Sequence, residues 1–443
     1  MNRLGNIYNR TKIYLHNTSW IIGEKVFTLC IGIFVTALLA RFLGPELFGI
    51  LAYALSMVAI FSTAGHMGLS GLVVREIVKK PEFRPEILGT TIVLKFFGYA
   101  LGFCILVVYS FIYEEYQSVE FWILLIVGSS LFFQPLSVFD FWFQALVQSR
   151  LTAIARSSAL ILSAVFKIIL VILGAEVVIF AYAYLLEVVL AGVFLLFLYQ
   201  YSSEISLFSW RYSSSRAKVL LGQGWMVLCG ALFATIYLRI DQVMLKWFVG
   251  VEEVGIYAVS AKLSETWYFV PTAIVASLFP RLIILKETDS YHYQLRLQQI
   301  FELLFVIALG VAILVSFLAT PLISLFFGER YLASAPILAV HIWAAPFIFM
   351  RAAFSKWILI EHALMFSLIT QGFGALANVV LNLLLIPHYA GYGAAFATLL
   401  SYAMASYFSL FFYKKSRPVF WMMTNAMMAP VRYPWRYIKG RFA

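Results

Sequence analysis

Charge is scarce in this chain, cysteine scarcer, and no long polar segment interrupts it. Charged residues make up only 12% of its 443 positions, and 63% are hydrophobic. Soluble domains carry about 25% charged residues, so this composition excludes an ordinary soluble protein and describes a polytopic membrane protein. The three cysteines, Cys30, Cys104 and Cys229, stand too far apart for a metal motif and read as small buried hydrophobes. The six histidines are scattered with no pair at ligand spacing. No glycine-rich loop precedes a lysine–serine pair. Neither a metal site, nor a cofactor, nor ATP hydrolysis within the chain is therefore expected. The first apolar stretch is too long for a signal peptide and lacks a small-residue cleavage site, so no removable leader is expected.

What the chain has instead is apolar runs long enough to cross a bilayer, each needing about 20 residues. Spans are expected near 18–42, 46–70, 88–112, 120–144, 153–173, 176–200, 219–248, 254–280, 297–320, 333–357, 363–387 and 391–413. The expected fold is all-α, with twelve transmembrane helices in two six-helix bundles. The boundaries are 1–205 for the first bundle, 206–415 for the second, and 416–443 for a basic cytoplasmic tail. The connections are short, and none could build a soluble catalytic domain.

Cytoplasmic loops carry the excess of lysine and arginine, and that excess alternates here. Arg3, Arg10 and Lys12 precede the first span, and Arg75, Lys79, Lys80 and Arg84 follow the second. Later even-numbered connections hold Arg150 and Arg156, then Arg211, Arg216 and Lys218, then Arg281, Lys286 and Arg296. The intervening connections favour acids, such as Glu114, Glu115, Glu252 and Glu253. The tail adds Lys414, Lys415, Arg417, Arg432, Arg436, Lys439 and Arg441. Both termini are thus expected in the cytoplasm. The net charge of +11 reads as a rim facing anionic lipid headgroups, with no call for nucleic acid.

Ionisable residues inside the spans carry the functional signal. A charge at the centre of the hydrocarbon costs at least about 2.5–3.5 kcal/mol, so it is kept where it meets a partner or a watery cavity. Arg239 and Asp241, Lys262 and Glu265, Glu24 and Lys25, and Lys167 all fall in such stretches. Lys262 and Glu265 are three apart on one helix face and can pair. Arg239 and Asp241 are two apart and point to nearly opposite sides, with Arg239 favoured for a central cleft and Asp241 for bracing a neighbouring helix. Asp140, Gln144 and Gln148 form a polar stripe at four-residue spacing, suited either to sugar hydroxyls or to helix packing. Asn378 and Asn382, one turn apart, suit hydrogen bonding between helices.

The chain also repeats itself. Phe42-Leu43-Gly44-Pro45-Glu46-Leu47-Phe48-Gly49-Ile50 and Phe248-Val249-Gly250-Val251-Glu252-Glu253-Val254-Gly255-Ile256 match type for type at most places without a gap. Each reads as a tight turn between spans, where glycine supplies the backbone freedom a short reversal needs. Two six-span halves in one orientation put the substrate of a transporter near the midplane, between the repeats.

Several stretches together carry a family resemblance. They are Arg239 to Lys246, Val254 to Leu263, Leu278 to Pro280, Arg41 to Gly49, Asp140 to Ala145, Phe327 to Tyr331, and Asn378 to Ala395. In this order, over nearly the whole chain, they resemble the Wzx-type O-antigen and capsule flippases of the multidrug/oligosaccharidyl-lipid/polysaccharide exporter superfamily, whose fold is MATE-like. Ala145 departs from the pattern, standing where many relatives carry glycine. The resemblance implies a flippase that moves an undecaprenyl-diphosphate-linked oligosaccharide from the cytoplasmic to the periplasmic leaflet of a bacterial inner membrane by alternating access. It implies membrane lipids as partners, together with a polysaccharide polymerase and a chain-length regulator.

The residues meet that implication part way. A lipid-linked diphosphate needs a cation-lined passage, and Arg239, Lys262 and Lys25 are the cations the chain offers. Glu24, Asp241 and Glu265 are the carboxylates available for coupling or bracing, and Asp140 and Gln144 for sugar contacts. A drug/cation antiporter of the same fold is the nearer alternative. A membrane polysaccharide polymerase is the alternative from another class, disfavoured because the outer loops are too short for a catalytic site. No catalytic residue is expected.

Overall fold

The computed structural model describes residues 2–432, with side chains from residue 19 onward. The expected contributions of Arg3, Arg10, Lys12, Arg436, Lys439 and Arg441 lie outside the described side chains. Among the described residues there are helices and turns but no strand. Among the described residues nine helices are long and apolar enough to cross a membrane, and the bent pair Val119–Phe132 and Gln134–Ala145 brings the number to ten. Two of these are double spans. The run Ser19–Lys79 has 61 residues and Leu364–Phe412 has 49, so at 1.5 Å per residue each exceeds any bilayer. The first breaks at Gly44 (φ 78°, ψ 172°) and the second at Ala390 (φ 48°, ψ −133°). The described chain therefore divides into twelve spans.

We number them α1 (2–43), α2 (45–65), α3 (Arg84–Tyr113), α4 (the bent pair), α5 (Ser149–Ile172), α6 (Val177–Ser202), α7 (Ser214–Phe248), α8 (Val251–Thr288), α9 (Ser290–Phe327), α10 (Ser334–Ile360), α11 (364–389) and α12 (391–412). The repeat visible in the sequence has a backbone counterpart. Gly44 between α1 and α2, and Gly250 between α7 and α8, both adopt positive φ with ψ near 175° (φ 78° and 123°). L-residues rarely occupy that conformation. Each repeat spends its glycine on the same reversal.

Two compact units divide between Thr235 and Ile236, inside α7. In the first unit, Leu69, Val73, Leu88, Phe139, Trp142 and Tyr199 form part of one buried cluster where α3, α4 and α6 meet the short helix Ser70–Lys79. In the second, the turn at Ala390 is pinned by the Gly391 N–H, which donates to Glu253 Oε1 at 2.8 Å. α12 contains a π-helical turn over Met404–Phe408. Part of the expected tail is structured: Arg417–Met427 is a helix that buries Val419, Met423 and Ala426 and packs against α9.

The cysteines depart from expectation. Cys30 and Cys104 are exposed and Cys229 half-buried. In a membrane protein the outer face meets lipid and is itself apolar, so an apolar residue gains nothing by being inside.

Candidate functional site

α7 carries the densest chemistry of the second unit. Asp241 is 1% exposed and its carboxyl accepts three hydrogen bonds from other helices. Tyr257 Oη of α8 donates at 2.6 Å, Asn382 Nδ2 of α11 at 2.6 Å, and Thr398 Oγ1 of α12 at 2.5 Å. Asn382 Nδ2 also donates to Asn378 Oδ1 at 3.1 Å. One carboxyl thus joins α7, α8, α11 and α12, and neutral donors satisfy it. Burying a carboxyl without such partners would be prohibitive.

Two residues earlier, Arg239 projects elsewhere, as the helical geometry requires. Its guanidinium meets Glu265 of α8 at 3.0 Å, with side chains 33% and 18% exposed. The carboxylate that the sequence offers to Lys262, three residues back along α8, is thus also reached by a cation on the neighbouring helix. Lys262 is half-buried.

Around the inner part of α7 lies an aromatic and polar group. Tyr237 Oη donates to Gln371 Oε1 at 2.9 Å, and its ring packs edge-on against Tyr402 with centroids 4.9 Å apart. Beside them stands Arg351 of α10, a residue absent from the sequence-based candidates. It donates to Thr370 Oγ1 (3.2 Å), Ser367 Oγ (3.4 Å) and the Ala405 carbonyl (3.1 Å), and its guanidinium lies 5.2 Å from the Phe354 ring centroid. The Ala405 carbonyl belongs to the π-helical turn, a feature that disrupts the regular ladder and is frequent at functional sites.

The first unit pairs its charges differently. Arg156 bridges two carboxylates, Asp140 of α4 at 2.5 Å and Glu24 of α1 at 4.0 Å. Gln144 donates to the same Asp140 at 3.1 Å. Asp140 is buried and committed to Arg156, whereas Gln144 is exposed. Lys167 of α5 meets Glu187 of α6 at 2.8 Å, and Ser163 donates to that carboxylate at 3.1 Å. Lys95, fully buried, donates to Ser137 Oγ and lies 4.6 Å from the Phe141 ring centroid. Glu24, Gln134, Ser137, Arg156 and Glu187 line a groove of about 320 Å³ within this unit. Lys25 is exposed on α1.

Arg156 corrects the topology reading, which set it in the connection after the fourth span. α5 begins at Ser149, so Arg156 lies two turns inside the helix. The charge-in-a-span rule that singled out Arg239 applies equally to Arg351 and to Glu187. Each lies in an apolar run, and that signal could have found them.

Three comparisons bear on the arrangement. A family model described as polysaccharide biosynthesis protein matches residues 14–286. The probable flippase AglR of Haloferax volcanii is 27% identical over 223 residues, 46% of this chain. The matched segment spans 41% of the length of the curated relatives. Among solved structures, the lipid II flippase MurJ in an inward closed conformation aligns with a TM-score of 0.69 at 16% identity, covering 94% of this chain and 92% of that one. The MATE multidrug transporter DinF-BH aligns at 0.62 and 16%, covering 93% and 96%. At such identities the likeness is one of fold.

Proposed function

Because the chain belongs to the polysaccharide biosynthesis protein family and has the MurJ and MATE transporter fold, we propose that it flips an undecaprenyl-diphosphate-linked oligosaccharide across a bacterial inner membrane. The direction is from the cytoplasmic to the periplasmic leaflet, by alternating access, with both termini cytoplasmic. The observation that carries the reading is the set of ionisable groups held inside apolar spans, Arg239, Asp241, Glu265 and Arg351 in the second unit. A protein that only anchors something has no use for them, because each costs stability in hydrocarbon. A carrier of a polar, anionic headgroup does.

In this reading the cations Arg239, Lys262 and Lys25 meet the diphosphate, and arginine suits it because its planar fork binds two oxygens at once. Glu265 holds Arg239 between substrates and competes with the diphosphate for it. Glu24, Asp241 and Glu265 are the carboxylates that couple or brace the cycle. Gln144, exposed beside Asp140, meets sugar hydroxyls. The protein performs no covalent chemistry; a polymerase and a chain-length regulator act on what it delivers.

Deleting the gene should leave lipid-linked repeat units accumulated in the cytoplasmic leaflet, and their mass identifies the sugar. Normal surface polysaccharide with no accumulation would count against the reading. The fold match to DinF-BH favours one other possibility, a drug/cation antiporter. That predicts restored export of organic cations and no effect on the glycolipid.

A further inference from the structure

The intramembrane cations divide by what neutralises them. Arg239 faces Glu265, Lys167 faces Glu187, Arg156 faces Asp140, and Lys286 faces Glu361. Arg351 faces none. Among the described residues no carboxylate lies within ion-pair distance of it; all three of its hydrogen bonds go to neutral oxygens. A guanidinium has five N–H donors, so two are left, and one of the three in use is a long bond of 3.4 Å. Lys95, the comparable case in the first unit, is sealed at 0% exposure. Arg351 and Ser367 both keep part of their surface open.

The neighbours suit a phosphoryl group. Ser367 Oγ accepts from Arg351, and no acceptor for its own proton is present among the described residues, which leaves a hydroxyl donor beside the guanidinium. Thr370 spends its proton on the Ser367 carbonyl of its own helix at 3.0 Å, so toward Arg351 of α10 its oxygen acts as an acceptor. Tyr237 and Tyr402, buried and packed edge-on against each other, stand next to this corner. Arg351 is nine residues from the α10 end at Ile360, a depth of about 14 Å at 1.5 Å per residue. An uncompensated cation at that depth is expensive unless an anion visits it.

We propose that Arg351 and Ser367 form a phosphoryl-binding station in the second unit, which takes the diphosphate of a polyprenyl-linked substrate. The inference rests on the flippase reading and adds to it a site that does not depend on Arg239. Between substrates the guanidinium is parked on the Ala405 carbonyl and two hydroxyls. A diphosphate is the charged acceptor those neutral oxygens are not, and charge-assisted bonds are roughly twice as strong.

The test is binding of farnesyl diphosphate to the full-length protein in nanodiscs, with inorganic pyrophosphate, farnesol and phosphatidylglycerol as separate arms. Wild type should bind farnesyl diphosphate, and farnesol should bind at least tenfold more weakly. R351Q should lose at least tenfold in affinity and R351K should fall between. S367A should lose about threefold with an unchanged unfolding midpoint, which separates a binding role from a mere clamp on Ala405, because S367A leaves that bond intact. The exposed Arg296 serves as control, and R296Q should bind as wild type does. Equal binding by wild type, R351Q and S367A overturns the station while leaving accumulation in the deletion strain, and hence the flippase reading, untouched. Phosphatidylglycerol binding with the same dependence on Arg351 would assign the corner to a membrane lipid and overturn it too. Pyrophosphate binding without a farnesyl requirement keeps the phosphoryl chemistry and removes the lipid from it.

Discussion

The two units solve the same problem, charge inside hydrocarbon, in different ways. In the first, acids and bases cancel in close pairs, Arg156 between Asp140 and Glu24 and Lys167 against Glu187, while Lys95, held by Ser137 Oγ, is sealed from any arriving ion. In the second, the most buried acid and the open base are separated. Asp241 rests on a tyrosine, a threonine and an asparagine, and Arg351 on two hydroxyls and a carbonyl. Arg239 and Glu265, and Lys286 and Glu361, pair there as the charges of the first unit do. A cancelled pair meets an arriving ion only by giving up its partner, whereas a group satisfied by neutral partners still has its charge to offer. On the proposed reading, most of the exchangeable electrostatics lies in the second unit.

The largest effect that would break this contrast is at Asp241. Replacing it with alanine strands three donors in a sealed site, at about 1–3 kcal/mol for each buried donor left without an acceptor. D241A should therefore lower the unfolding midpoint in detergent sharply, and D241N, which keeps one carbonyl acceptor, should lower it less. An unchanged midpoint in D241A would mean the acid is not the node that ties α7, α8, α11 and α12.

A second comparison sits in the first unit. Lys167→Met alone leaves the half-buried Glu187 without its cation, a loss below the roughly 3–5 kcal/mol of a fully buried pair broken on one side. Adding Glu187→Leu should recover most of it. If the double variant is no more stable than the single one, the pair has a duty beyond cancelling itself.

For Arg239 and Glu265, partly exposed, a double-mutant cycle should give a coupling of about 0.5–3 kcal/mol in stability. The same cycle read in glycolipid transport should not close. E265Q frees Arg239 for substrate, whereas R239A removes it. Identical patterns in the two readouts would make the pair purely structural.

The smallest effect concerns Asp289, in the turn between α8 and α9. Its carboxyl is held below the ordinary value, chiefly by the His292 backbone N–H at 3.0 Å and then by the His292 ring. A depressed folded-state pKa contributes stability that is present above the ordinary carboxyl value of about 3.9. That stability disappears as pH falls through the lower folded value. Amide exchange at the start of α9 should thus be insensitive to this group between pH 8 and 5 and accelerate only in strong acid. The D289N variant should lose that acid step.

Much of this was legible from sequence, and the limits are physical. Apolar runs announce spans because each must cover a fixed thickness of hydrocarbon, so the twelve α-helices emerged with Gly44 and Gly250 at matching turns. Partners across helices are another matter. Spacing shows that Lys262 and Glu265 share a face, but says nothing about Arg239 reaching Glu265 from α7. Arg156 was counted with the connection after the fourth span although the run set at 153–173 already contains it, and the helix begins earlier still, at Ser149. The cysteines misled because inside and outside are both apolar here. Arg351 went unread because one arginine among Phe349, Met350 and Phe354 carries no motif; its meaning lies in having no carboxylate nearby.

The most direct test of the central claim is transfer of a polyprenyl-diphosphate-linked oligosaccharide in proteoliposomes under an imposed potassium-diffusion potential. Each elementary charge crossing the membrane is worth about 2.3 kcal/mol per 100 mV. A headgroup of about two charges moving toward the positive side gains roughly 4–5 kcal/mol on the same scale. The account predicts protein-dependent appearance of the labelled saccharide in the far leaflet, faster with the positive side there and slower when the potential is reversed. Transfer no greater than in protein-free vesicles, from protein that is folded and reconstituted, would contradict it.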